Sequence, residues 1–244
     1  MTGELAGKAA VATGAGGDIG RAITAALVGA GARVAALDLV APDFDDPAVL
    51  PLACDVADAG AVEAAVARAG EAFGRLDILV NNAAAPTPLG DVTQIAPADW
   101  ARSLEVNLTG AYLMCRSVVP WFRRGGGGVI LNIASQLGHV ATPGRAVYSA
   151  SKAGLISLTR TLALDHAAEN IRAVSLSPGA VMTGRVIAQA GSAEAAEAAL
   201  APLHPLGRLG SAEEIAAAAL FLVGPGAAFV TGTDLLADGG YTAR

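Results

Sequence analysis

Six short apolar runs constrain the fold of this chain more than any other feature: residues 8–13 (KAAVAT), 33–38 (RVAALD), 50–53 (LPLA), 77–81 (DILVN), 129–134 (VILNIA) and 171–176 (IRAVSL). They alternate little between apolar and polar positions, which fits strands buried on both faces. Between them lie stretches of helical periodicity at residues 21–30, about 59–73, about 98–122 and 146–168. In the second of these, Glu63, Arg68 and Glu71 form a solvated face. Strands alternating with helices of this length predict an α/β fold, a doubly wound parallel sheet with helices on both faces. No linker, composition break or internal repeat divides the chain, so one domain over residues 1–244 is expected.

Two stretches read differently. Residues 215–233 carry no charge and have the length of a membrane span. Gly224, Pro225 and Gly226 interrupt them, so a short buried helix, a turn and a strand are expected instead. Residues 178–205 are rich in Gly, Pro and Ala. They read as the least regular region, a mobile flap over a pocket at about 180–207.

With hydrophobic residues at 53% and aromatics at 4%, the core must be built from small aliphatic side chains. A net charge of −6, with no basic run and few rings for stacking, weighs against nucleic acid as a partner. Cys54 and Cys115 lie far apart and His139, His166 and His204 are scattered, so no metal site is expected. The opening residues, MTGELAGKAAVATGAG, lack a basic region followed by an apolar core, and a cytoplasmic protein is the expectation.

After the first strand, TGAGGDIG places glycines where a strand turns into a helix. Backbone N–H groups at that helix start would face a pyrophosphate at close range. Asp38 closes the second strand, where a carboxylate either caps a turn or accepts both ribose hydroxyls of an adenosine. Neither Gly17 nor Leu39 offers a cation for a 2′-phosphate, so NAD is expected rather than NADP. Tyr148 and Lys152, four residues apart, would share a helix face with Cβ atoms about 5–6 Å apart. An ammonium there would lower the tyrosine pKa toward the range of a general base. A surface pair on an ordinary helix is the alternative. Ser135, just after the fifth strand, would place a hydroxyl to steady a substrate oxygen.

Together these motifs resemble the short-chain dehydrogenase/reductase family in its single-domain form, over residues 13 to about 240. The family's T-G-x-x-x-G-x-G turn matches Thr13, Gly14 and Gly20, with Asp18 where the middle glycine is usual. Aspartate tolerates left-handed backbone and serves as a helix N-cap. The family's Asn-Asn-Ala-Gly appears as Asn81-Asn82-Ala83-Ala84. The resemblance implies a Rossmann-type sheet that binds NAD. Gly14, Gly17, Asp18, Ile19 and Gly20 would meet its diphosphate, and Asp38 and Leu39 its adenosine ribose. Asp55 and Val56 would meet the adenine, and Asn82, Ala83 and Ala84 would also face the dinucleotide. Pro178, Gly179, Val181 and Thr183 would grip the nicotinamide amide.

The resemblance also implies a catalytic tetrad of Asn107, Ser135, Tyr148 and Lys152. Tyr148 would exchange the alcohol proton, Ser135 would bond the substrate oxygen, and Lys152 would hold the nicotinamide ribose. Asn107 would link the lysine to solvent. Around them Gln136, His139 and Arg185 are the substrate candidates, His139 with a turn cap as its alternative. Arg185 is either a surface arginine or a group for acidic substrates, and Arg145 reads as a surface charge. The expected reaction interconverts a secondary alcohol (sugar, polyol or cyclic alcohol) and its ketone or lactone. The alternatives are a 3-oxoacyl-thioester reductase and a non-catalytic dinucleotide-binding regulator or scaffold. A homotetramer is the family's usual assembly.

Overall fold

The computed structural model describes residues 3–243. In chain order the elements begin β1 (Ala9–Thr13), α1 (Asp18–Gly29), β2 (Arg33–Asp38), β3 (Val49–Ala53), α2 (Ala59–Phe73) and β4 (Ile78–Asn81). They continue with α3 (Pro97–Leu104), a π-helical segment (Glu105–Thr109), α4 (Gly110–Gly125), β5 (Gly128–Ile133), α5 (Ala146–His166) and β6 (Ile171–Pro178). The chain closes with α6 (Gly184–Ala190), α7 (Ala193–Leu200), α8 (Ala212–Val223) and β7 (Asp234–Ala237). The strands form one parallel sheet in the order β3-β2-β1-β4-β5-β6-β7.

Strand pleating sorts the side chains. Ala9 and Val11 of β1 join the core under α2 and α4, with Val62, Val66, Met114 and Val118. Ala10 and Ala12 face the other way, onto Ile23 and Leu27 of α1 and Ile215 and Leu222 of α8. Both faces are therefore covered, and the non-alternating strand sequences follow. Strand order reverses between β1 and β4, which opens a crevice beyond their C-terminal ends.

Phe122 of α4 is among the largest fully buried side chains. Gly128 makes room for it, since a Cβ there would lie 2.4 Å from the ring. In a core so poor in aromatics nothing nearby can fill the space it leaves. Phe122→Ala is expected to lower unfolding stability by about 3–5 kcal/mol. Urea denaturation at unchanged m-value would read this, and a loss below about 1 kcal/mol would contradict the packing.

The structure corrects three expectations. The helix expected over residues 98–122 is interrupted by the π segment around Asn107, where i→i+5 bonding shifts the helix phase. The strand expected inside residues 215–233 begins after them, at Asp234, because α8 and a 3₁₀ turn at Pro225–Ala227 use up the apolar run. The flap expected to be irregular folds as α6 and α7, each started by a capping hydroxyl. Thr183 accepts from the Val186 N–H and Ser192 from the Ala195 N–H. Among the described residues no helix is long and apolar enough to cross a membrane.

Candidate active site

Beyond Thr13 the chain turns through Gly14, at φ +62°, into α1. A Cβ on Gly20 would lie 2.0 Å from the Gly14 carbonyl oxygen, and one on Gly14 would lie 2.8 Å from Ala83 Cα. The turn therefore packs on backbone alone. Thr13 and Asn82 tie it to the loop after β4. Thr13 Oγ1 accepts from the N–H groups of Asn82 and Ala83 at 3.0 and 3.1 Å. Asn82 Nδ2 donates to the carbonyls of Thr13 and Gly14 at 3.1 and 3.0 Å. The first N–H groups of α1 have no intrahelical acceptor and carry the positive end of the helix dipole. This cradle fits a diphosphate.

Asp18 neither caps α1 nor adopts a left-handed backbone. Gly17 is the N-cap, and Asn170 is the one described non-glycine residue with positive φ. Asp18 instead occupies the first helical position, and its Oδ2 accepts from the Gly184 N–H at 2.9 Å. The carboxylate thus turns toward the start of α6, across the mouth of the crevice. At the end of β2, Asp38 Oδ2 accepts from the Gly16 N–H at 2.9 Å and Oδ1 from the Leu39 N–H at 2.8 Å. Each carboxylate oxygen keeps a second acceptor position for a ribose hydroxyl. The Asp55 carboxyl lies below its ordinary pKa because the Ala57 N–H and then Arg102 bond it.

The crevice is a cleft of about 700 Å³, and every residue expected to face the dinucleotide lines it. Ser135, Tyr148, Lys152 and Arg185 line the same cleft. Ser135 is delivered by β5 and Tyr148 and Lys152 by successive turns of α5. Lys152 is buried, its Nζ donating to the Ile133 carbonyl at 2.7 Å and lying 5.8 Å from the Tyr148 ring centroid. Burial, reinforced by the like charge of Arg185, draws the ammonium down to about 8.

The Tyr148 pKa runs against expectation. Burial raises it above the ordinary phenol value, and a hydrogen bond with Ser135 and the charges of Arg185 and Arg145 recover only part of that rise. Lys152 is not among the groups that lower it. Its ammonium is spent on a backbone carbonyl and weakened by desolvation. Asn107 is buried in the π segment. Its Oδ1 accepts from the Ala85 N–H at 2.9 Å and its Nδ2 donates to Ser151 Oγ at 3.3 Å. Ser151 Oγ in turn donates to the Tyr148 carbonyl at 2.8 Å, so Asn107 braces both the loop after β4 and α5.

Two substrate candidates lie outside the cleft. His139 Nε2 pairs with Asp234 Oδ2 at 2.8 Å, on the far strand of the sheet. Gln136 is buried behind the site, its Oε1 without a hydrogen-bond partner; a Cβ on Gly179 would meet that oxygen and His204 Nε2. Sequence reasoning missed Arg102, which lines the adenosine end while its Nη2 donates to Asp55 at 3.0 Å. Its place on a helix distant in sequence gave no signal. Pro86 and Val186 also line the cleft, and their adjacency to Ala84 and Arg185 was the only available hint.

The family model described as enoyl-(acyl carrier protein) reductase matches residues 14–242. D-threitol dehydrogenase of Mycolicibacterium smegmatis is 40% identical, over 99% of this chain and 95% of that relative. Ligand-free aldohexose dehydrogenase from Thermoplasma acidophilum superposes with TM-score 0.94 at 31% identity, covering 100% of this chain and 97% of that one. 3-Ketoacyl-(acyl-carrier-protein) reductase from Brucella melitensis, complexed with NADH, superposes with TM-score 0.88 at 33% identity, over 98% and 99% of the two chains.

Proposed function

The chain belongs to the short-chain dehydrogenase/reductase family of nicotinamide-dinucleotide oxidoreductases, and from that premise we propose that it oxidises a secondary alcohol (a sugar, polyol or cyclic alcohol) with NAD. The observation that carries this reading is one cleft holding the glycine turn and Asp38 at one end and Ser135, Tyr148 and Lys152 at the other. The threitol and aldohexose dehydrogenases support the substrate class, and the NADH-bound neighbour supports the cofactor.

NAD, held by the glycine turn, Asp38 and Lys152, would supply the hydride acceptor. Tyr148 removes the hydroxyl proton as the carbon–oxygen double bond forms. Ser135 holds the substrate oxygen through the change in charge. Lys152 anchors the ribose, and Asn107 holds the loop and helix between which the substrate lies. Asp38 accepts the adenosine ribose hydroxyls and disfavours a 2′-phosphate. The family's usual homotetramer is the assembly proposed, and the exposed Leu235 and Leu236 of the edge strand β7 offer an apolar surface for association.

The raised Tyr148 pKa sets the sign of the pH dependence. Oxidation needs the phenolate, so kcat/KM for alcohol oxidation should climb as pH rises toward that pKa. Ketone reduction needs the phenol, so it should be level at neutral pH and fall at alkaline pH. Initial rates in both directions across about pH 6–10 read this. Oxidation that weakens with rising pH would remove Tyr148 from the base role.

A 3-oxoacyl-thioester reductase is the second reading, favoured by the Brucella neighbour. Adding an acetoacetyl thioester with NADH and NADPH to the alcohol panel separates the two. Turnover of the thioester alone would reverse their order.

A further inference from the structure

The substrate end of the cleft holds a guanidinium, that of Arg185, with no ion-pair partner among the described residues. Arg185, the second residue of α6, lines the cleft and donates from Nη2 to the Ala84 carbonyl at 3.0 Å. A guanidinium carries five N–H donors, so this bond leaves four. The start of α6 is itself held: Asp18 accepts from the Gly184 N–H at 2.9 Å, and Thr183 Oγ1 from the Val186 N–H at 3.3 Å. Arg185 is thus fixed across the mouth of the site from both sides.

Arg145 does not line the cleft. It is the N-cap residue of α5, three residues before Tyr148, and a β-bridge ties its backbone to Gly90. The charges of Arg185 and then Arg145 offset part of the rise in the Tyr148 pKa, and that of Arg185 helps draw Lys152 down.

Among the described residues neither arginine forms an ion pair, whereas Arg75, Arg102, Arg116, Arg123 and Arg208 each have a carboxylate partner. Of the cleft carboxylates, Asp38 and Asp55 sit at its other end, holding the N–H groups of Gly16 and Leu39 and the Arg102 guanidinium, while Asp18 lies at the start of α6, where it holds the Gly184 N–H and forms no ion pair with Arg185. In a chain of net charge −6, an unpaired Arg185 in the same cleft as Lys152 is an arrangement that an incoming anion relieves.

We propose that the alcohol oxidised here carries an anionic group, a carboxylate or a similar oxyacid, held by Arg185 while its carbinol faces Tyr148. The proposal rests on the dehydrogenase reading and narrows its substrate class to hydroxy acids. A carboxylate matches the planar fork of a guanidinium and gains charge-assisted hydrogen bonds. The dinucleotide diphosphate is a second source of negative charge within reach of Arg185, and the test separates the two.

The test compares isosteric pairs that differ only in charge: 4-hydroxycyclohexanecarboxylate against its carboxamide, and 3-hydroxybutyrate against 3-hydroxybutyramide, with NAD. The carboxylates should exceed the amides in kcat/KM by about tenfold or more, mainly through KM. Arg185→Gln should collapse that ratio to about two- to threefold while shifting the NADH Kd, read by fluorescence, by less than about threefold. Equal kcat/KM for both members of each pair in the wild type would overturn the proposal and leave the dehydrogenase reading standing. Loss of NADH affinity in Arg185→Gln with the carboxylate preference intact would assign the arginine to the diphosphate and also overturn it. Absence of turnover with every alcohol, charged or neutral, would sink both readings.

Discussion

Replacing Tyr148 by phenylalanine is expected to lower kcat by about 10²–10⁴-fold, the usual range for removing a general acid–base group. The substitution deletes only the hydroxyl. The ring keeps its place in the first turn of α5, and the Lys152 contact to the Ile133 carbonyl does not depend on the phenol. Affinity for NADH should therefore stay within about threefold of the wild type, because the glycine turn and Asp38 are untouched. Separating kcat from binding distinguishes catalysis from a scaffold role. If wild type and variant showed the same slow background rate, the cleft would be a binding site and nothing more.

The second large effect concerns cofactor choice. Asp38→Asn keeps one acceptor for the Gly16 or Leu39 N–H but removes the negative charge. Charge-assisted bonds to two ribose hydroxyls weaken, and repulsion of a 2′-phosphate disappears. The ratio of NADPH to NADH dissociation constants should fall by about 10–100-fold. Fluorescence titration of both nucleotides measures it. An unchanged ratio would show that Asp38 serves only to hold the turn it caps.

Much of the dinucleotide end was legible in the sequence for a physical reason. A turn that packs backbone on backbone needs glycine at fixed offsets, and Gly14 and Gly20 meet contacts that no Cβ could share. Asp38 was legible because it closes a strand whose end the fold places at the crevice. What stayed hidden depends on residues far apart in sequence. Asp18 looked like a helix cap or a defect in the glycine turn, yet its partner is Gly184. His139 looked like a substrate contact or turn cap, yet it answers Asp234 on a strand that sequence patterning placed too early. The π segment at Asn107 has no compositional mark, because its i→i+5 bonds involve backbone only.

The Tyr148 pKa could not be read from spacing at all. Four residues do place Lys152 one turn away, but desolvation and the Ile133 carbonyl decide what its charge does. The charges of Arg185 and then Arg145 offset part of the rise that burial causes.

The most direct test of the account is hydride transfer itself, observed with secondary alcohols deuterated at the carbinol carbon. Incubated with the protein and NAD, at least one sugar, polyol, cyclic alcohol or hydroxy acid should deliver its deuterium to the nicotinamide ring, with the Tyr148→Phe variant silent on the same time scale. A protein that binds NADH tightly, yet moves no deuterium from any member of the panel, would contradict it.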